Sequence, residues 1–378
     1  MKIAINTRLL ISDKLEGIGW FCFETLTRIT KQHPEHEFFF IFDRAYDTKL
    51  NFASNVKAIV APPQARHPLL YLIWFEVTLP IILKRIKADL FLSPDGYLSL
   101  MSSVKQIAVF HDLNFEHYPN DLPRIEILYY THFFPLYAKK ACRIITVSSY
   151  SKRDIIETYK IAPEKIDIAH NGVGEIFVPI SQAEKVLCKN TFTDGLEYFI
   201  YVGSIHPRKN LTNLFRAFDL FKKRTHLPNK LVIVGNRKWW TSEINRVYEK
   251  LHFKEDVIFL GRQETSVLHH LIASAEALTY VSYHEGFGIP ILEAFASGTA
   301  VITSNITSMP EVAGEAALLV NPFSPSSIAD AMELIYREKG IKEQLIAKGM
   351  ERVKQFSWQQ TANLVWGSIE KCLDLRSK

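Results

Sequence analysis

The chain has 378 residues, of which 47% are hydrophobic and 22% charged, and carries a net charge of +5. That length exceeds one ordinary core, so two domains are expected, and the apolar content excludes a disordered polymer. So small a net charge gives nucleic acid no electrostatic footing, and no nucleic-acid partner is expected.

From the N-terminus, short β-branched or aromatic runs predict strands over 3–6, 37–42, 56–60, 90–93, 106–110, 143–147 and 166–169. The stretch 178–194 holds a proline and mixed polar residues without a strand pattern, and is read as the domain boundary. A second set of strands follows over 198–202, 230–234, 257–260, 277–281, 300–303 and 317–320. Helical patterns lie between them, at 211–224, 242–251, 265–273 and 326–339, and a last one runs over 358–375. Strand–helix alternation means parallel sheets with helices on both faces. Because the second set repeats the format of the first, the fold class is α/β, as two doubly wound, Rossmann-like domains.

Several motifs sit at the strand ends. After the first strand comes Leu15-Glu16-Gly17-Ile18-Gly19-Trp20, an incomplete glycine fingerprint that also fits a plain turn. The stretch 68–83 is the longest apolar run. Glu76, Thr78 and Pro80 interrupt it, so it is too short to cross a bilayer. With Lys84, Arg85 and Lys87 behind it, it reads either as a helix packed on the first sheet or as a contact with a membrane or a lipid-linked acceptor. His111-Asp112 ends another strand, where α/β sheets place ligand-binding residues. Thr146-Val147-Ser148-Ser149-Tyr150-Ser151-Lys152 reads as a strand end with an N-capping serine.

In the second half, Gly203 closes a strand, Arg208 and Lys209 follow, and a helix starts near Asn210. Adjacent cations beside a helix N-terminus form a diphosphate site; the alternative is a solvated basic turn. The loops Val234-Gly235-Asn236-Arg237-Lys238 and Leu260-Gly261-Arg262-Gln263 also follow strands. The most informative stretch is His284-Glu285-Gly286-Phe287-Gly288-Ile289-Pro290-Ile291-Leu292-Glu293, which sits between a buried strand and a helix ending at Gly298. Two carboxylates flanking a glycine loop at a helix N-terminus suit a ligand with sugar hydroxyls and phosphates. Cys22, Cys142, Cys188 and Cys372 are scattered, which argues against a cysteine metal site or a disulfide framework and fits a reducing cytoplasm. The N-terminus enters a strand at once, so no signal peptide is expected.

The two glutamates with seven residues between them, preceded by the Arg-Lys pair, resemble the signature of the family 4 retaining glycosyltransferases of the GT-B fold. The resemblance implies two Rossmann-like domains facing across a cleft. Residues 1–180 would bind the acceptor, with 358–378 packing back on them, and residues 190–357 would bind the nucleotide-sugar donor. It implies that Arg208 and Lys209 grip the donor diphosphate, aided by N–H groups around Phe287, Gly288 and Ile289. Glu285 would meet the donor sugar and Glu293 the ribose. Gly17 and Gly19 would admit the donor phosphates, Gln263 lies in the loop against the base, and His111 lies near the transferred sugar. The catalytic set is then Glu285, Lys209, Arg208 and His111. His170-Asn171-Gly172-Val173 also matches, although this chain has Gly174 where relatives carry Asp. No Asp-x-Asp metal motif occurs, so the resemblance implies a metal-independent enzyme without a cofactor.

Residues 284–322 look most like bacterial mannosyltransferases of surface polysaccharide (O-antigen, capsule or lipopolysaccharide) synthesis. The implied donor is GDP-mannose, the acceptor a saccharide or lipid-linked saccharide, and the location cytoplasmic or peripheral on the inner face of the membrane. A UDP-sugar donor (glucose, GalNAc or GlcNAc), a non-catalytic sugar-nucleotide-binding scaffold and an epimerase on the same fold stay open.

Overall fold

A computed structural model of the chain describes residues 1–11, 15, 17–46, 52–237 and 239–374. Glu16, Lys238 and residue 375, which fall in elements expected from the sequence, lie outside the described residues. The chain divides into two compact units, Met1–Asn171 with Ser357–Lys378, and Gly172–Phe356.

The first unit holds β1 (Lys2–Asn6), β2 (Glu37–Phe42), β3 (Val56–Val60), β4 (Leu90–Ser93), β5 (Lys105–Phe110), β6 (Arg143–Thr146) and β7 (Ile166–Ile168). Its helices are α1 (Gly17–Gln32), α2 (Pro68–Ile73), α3 (Leu79–Ile86), α4 (Asn114–His117), α5 (Arg124–Lys140) and α6 (Ser149–Tyr159). The strands pair in parallel in the order β3-β2-β1-β4-β5-β6-β7, so the winding reverses between β1 and β4. Strands covered on both faces are buried along their length, which is why they read as unbroken apolar runs. Leu90, Phe91 and Leu92 are each at most 1% exposed. Ser148 accepts from the Ser151 N–H at 3.0 Å and starts α6, as the sequence suggests.

The second unit holds β8 (Tyr198–Val202), β9 (Lys230–Val234), β10 (Val257–Gly261), β11 (Ala277–Tyr280), β12 (Ala300–Ser304) and β13 (Leu318–Val320). Its helices are α7 (Gln182–Thr193), α8 (Leu211–Thr225), α9 (Ser242–Glu249), α10 (Thr265–Ala273), α11 (Ile289–Ala296), α12 (Met309–Ala313), α13 (Pro325–Arg337) and α14 (Lys339–Arg352). This sheet is also parallel, in the order β10-β9-β8-β11-β12-β13, with its reversal between β8 and β11. A Cβ on Gly235 would fall 1.8 Å from the Gly203 carbonyl oxygen, so the ends of β8 and β9 approach too closely for any side chain there.

Three expectations are corrected. The stretch 178–194 is no linker. Ser181 and Glu184 form a reciprocal capping box that starts α7, and the units part between Asn171 and Gly172. Gly17 and Gly19 do not form a loop before a helix; they are the first turn of α1. Gly19 is there because a Cβ would press on Leu9 O at 3.2 Å and on the Leu15 side chain. Cys142 and Cys372 are not unpaired: they form a disulfide, while Cys22 and Cys188 are free and buried. The bridge was invisible in the spacing because 230 residues separate the pair. It is α15 (Trp358–Leu373), belonging to the first unit, that carries Cys372 onto the start of β6.

The apolar run after β3 satisfies both of its readings. Tyr71, Trp74, Phe75, Leu79 and Leu83 are buried in the first unit's core. Leu69, Ile73, Val77 and Ile81 are 47% to 63% exposed, and Lys84, Arg85 and Lys87 follow them on the surface. An α-helix overshoots a full turn by about 40° every four residues. The wider π-helical turn Trp74–Thr78 between α2 and α3 falls short instead, so the two deviations partly cancel and the four residues share one face. Among the described residues, no helix is long and apolar enough to cross a membrane.

Candidate active site

The reversal point of a doubly wound sheet leaves a crevice at the carboxyl ends of the two strands that flank it. In the second unit those strands are β8 and β11, and the residues after them are the ones the sequence singled out.

Beyond β8 the chain reaches a 3₁₀ turn, Pro207–Lys209, and then Asn210, held in the left-handed region at φ 62°. The Asn210 amide donates to Val281 O at 2.9 Å and to Pro322 O at 2.7 Å, and the Tyr283 N–H donates to Arg208 O at 3.0 Å. These bonds stitch the loop after β8 to the loop after β11. Arg208 Nη1 then lies 2.6 Å from Glu285 Oε2 and 3.0 Å from His284 O. Lys209 Nζ donates to Glu285 Oε1 and, at 2.6 Å, to the Tyr280 hydroxyl. That hydroxyl donates to Glu285 Oε1 at 3.0 Å. Burial alone would raise the Glu285 carboxyl, but Arg208 and Lys209 outweigh it and hold it well below the usual carboxylate range. Burial, with the Glu285 charge, pushes Tyr280 well above an ordinary phenol, so it stays a donor.

The glycine loop turns into α11 through Gly288, whose φ of 105° glycine adopts at little cost and other residues do not. Ser308 Oγ braces this loop, donating to Glu285 O at 2.9 Å and to Phe287 O at 3.1 Å. Phe287 is buried, and no side chain caps α11; Pro290 carries no N–H and the Ile291 N–H donates to Gly288 O at 3.0 Å, so the helix offers an anion the Ile289 N–H and the positive end of its dipole. Glu293 sits one turn into α11. Its carboxyl has no hydrogen-bond or ion-pair partner among the described residues, and burial raises it to about 7. The Gln263 side-chain amide folds back and donates to Leu260 O at 2.5 Å, while the neighbouring Arg262 is exposed. Arg237 stacks on Phe259 and Trp240 at 3.9 and 5.0 Å from the ring centres.

Within the first unit, His111 Nε2 donates to Pro94 O at 2.8 Å and the ring meets Phe21 edge-on. Burial lowers its basicity despite that bond, so the ring is neutral and Nδ1 is its acceptor. The pair at this unit's reversal point has no local signature in the sequence. Arg8, after β1, meets Asp95, after β4, at 2.5 Å, and Asn6 and Ser93 donate to the same carboxylate at 2.7 and 2.9 Å. Tyr71, Phe75 and Tyr97 enclose the guanidinium. Tyr280 and Ser308 were missed in the second unit, one inside an apolar strand and the other within the stretch 284–322, where it carried no role.

The model described as Glycosyl transferases group 1 matches residues 184–352, and the model Glycosyltransferase Family 4 matches residues 16–174. The chain belongs to glycosyltransferase family 4. Two relatives of this family 4 member are 29% identical to it. The O-antigen chain mannosyltransferase B of Escherichia coli aligns over 68% of this chain and 67% of its own. The O-antigen chain mannosyltransferase RfbU of Salmonella typhimurium aligns over 77% and 78%. The solved structure of Anabaena Alr3699/HepE in complex with UDP and glucose superposes with a TM-score of 0.77. It covers 98% of this chain and 100% of that one at 14% identity, which marks a shared GT-B fold. Arg208, Lys209, Glu285 and Glu293 therefore lie within the segment matched by the Glycosyl transferases group 1 model.

Proposed function

We propose that this glycosyltransferase moves mannose from GDP-mannose, with retention of configuration, to a saccharide or lipid-linked saccharide acceptor in surface polysaccharide synthesis. The observation that carries the reading is the cluster of Arg208, Lys209, Tyr280 and Glu285 beside the uncapped start of α11. Negative charge builds on the nucleoside diphosphate as the glycosidic bond breaks, and preorganised cations and N–H groups stabilise it without a metal. Glu285 holds both cations in place. Arriving phosphate oxygens compete for them and turn that carboxylate towards the donor sugar. Glu293, lacking a protein partner, accepts from the ribose hydroxyls. The mannosyl assignment is supported by the names of the two relatives, both O-antigen chain mannosyltransferases. A UDP-sugar donor is the second reading, favoured by the UDP and glucose bound to the Anabaena structure. The exposed row Leu69, Ile73, Val77 and Ile81, with the cations after it, supports peripheral contact with an anionic membrane face.

The test is donor turnover and donor-induced thermal stabilisation with GDP-mannose, UDP-glucose, UDP-GalNAc and UDP-GlcNAc. GDP-mannose alone should stabilise the protein and be consumed. Lys209→Ala should lose both diphosphate affinity and turnover, by roughly 100-fold in turnover, as for other lost electrostatic stabilisers. Glu285→Gln should lose turnover while still binding GDP. Stabilisation by a UDP-sugar in place of GDP-mannose would overturn the donor, and unchanged rates in both variants would overturn the site.

A further inference from the structure

Between α1 and β2 the chain reads His33-Pro34-Glu35-His36. Among the described residues, this turn of the first unit holds a group of three metal-capable side chains whose ligand atoms all lie within 4.8 Å of one another. Glu35 Oε1 is 3.6 Å from His33 Nδ1 and 3.2 Å from His36 Nε2. The first spacing is too long for a hydrogen bond, and the second lies at the long end of the N–H···O range. They do match the edges of a tetrahedron, roughly 3.3 Å for ligand bonds of about 2.0 Å.

The turn is also held in advance. The Asn55 amide donates to Thr30 O, His33 O and His36 O at 3.0, 3.1 and 3.1 Å, fixing the backbone of both histidines. Trp366 of α15 fixes their ring planes, stacking on His33 at 3.5 Å and on His36 at 5.3 Å between ring centres.

We propose that His33, Glu35 and His36 form a binding site for one divalent transition ion of the zinc class. Two imidazole nitrogens and one carboxylate oxygen are a borderline donor set, suited to Zn²⁺, Co²⁺ or Cu²⁺ and unsuited to Mg²⁺ or Ca²⁺. A fourth position is left to solvent, as in other three-ligand sites. The ion would pin the α1–β2 turn beneath Trp366, a structural role apart from sugar transfer.

The probe is Zn²⁺ titrated by calorimetry into untagged, chelator-stripped protein. One equivalent should bind, at least about ten-fold more weakly in Glu35→Gln and in His36→Gln. Glu35 is 59% exposed and has no packing role, so its variant folds even if His36→Gln does not. Cu²⁺ gives a second readout. The ion would sit beside Trp366, one of six tryptophans, so Cu²⁺ should quench a fraction of the fluorescence that Trp366→Phe removes. Absence of stoichiometric Zn²⁺ binding, or binding unchanged by Glu35→Gln, would overturn the site.

Discussion

Glu285 and Glu293 are the same residue type eight positions apart, yet their surroundings push them in opposite directions. Two cations hold the first ionised; burial without a partner raises the second to about 7. Such divergence marks groups with different tasks. For Glu293 the linkage has a definite sign. Its folded value lies above the value of about 4.5 in the unfolded chain, so between these the folded state holds more protons. Stability should therefore fall as pH rises from about 4.5 to about 7, by at most on the order of 3 kcal/mol, and then level off. If Glu293 accepts from ribose hydroxyls as proposed, the ionised form is the one that binds, so nucleoside diphosphate should bind more tightly as pH rises through 7. Glu293→Gln should flatten both profiles; the phosphates' own titration survives in the variant and is subtracted by it. Chemical denaturation and calorimetric titration at pH 5, 6, 7 and 8 measure them. A wild-type profile identical to the variant's would remove Glu293 from the binding set.

At the scale of elements, the exposed face of α2, the π-helical turn and α3 makes the next prediction. An apolar row followed by Lys84, Arg85 and Lys87 has the composition of a surface that enters an anionic interface. The protein should float with vesicles containing phosphatidylglycerol and not with neutral vesicles, and added salt should weaken the association. Ile73→Gln with Ile81→Gln should abolish flotation while leaving the melting temperature within a few degrees, because both side chains are already exposed. Flotation of the double variant equal to wild type would end the membrane reading. This element also shows where the sequence was legible. Its buried face and its cations could be read from composition, but the alignment of the exposed row depends on a π turn that no local pattern announces. The parallel strands were legible to within a residue or two, because a strand covered on both faces must be apolar throughout. The site was legible where chemistry is local, in Arg208-Lys209 and the glutamate loop. It was illegible where partners are remote. Arg8 and Asp95 are 87 residues apart, and Tyr280 is an apolar strand residue until its hydroxyl is seen between Lys209 and Glu285.

For the molecule as a whole, the position of the last helix sets which residues make up the first unit. α15 is fastened to that unit by three unlike devices. Trp366 stacks on His33; Asp167 collects Arg143, Ser368 and Lys371; and Cys372 is bridged to Cys142. Burial would raise the Asp167 carboxyl, but the bonds from Arg143, Lys371 and Ser368 reverse the direction, so this anchor is ionised and persists at neutral pH. A bridge that closes a loop of 230 residues restricts the unfolded chain strongly, which on the chain-entropy account is worth about 2–5 kcal/mol. Reduction should thus lower the denaturation midpoint without dissolving the fold, since stacking and the Asp167 bonds remain. Protein purified without reductant and then denatured should show two reactive thiols, Cys22 and Cys188, and four after reduction. Cys372→Ser should match the reduced protein in stability and become insensitive to reductant. Four thiols before reduction would show that the helix is held by its non-covalent contacts alone, and the loss of stability on reduction should then vanish with the bridge.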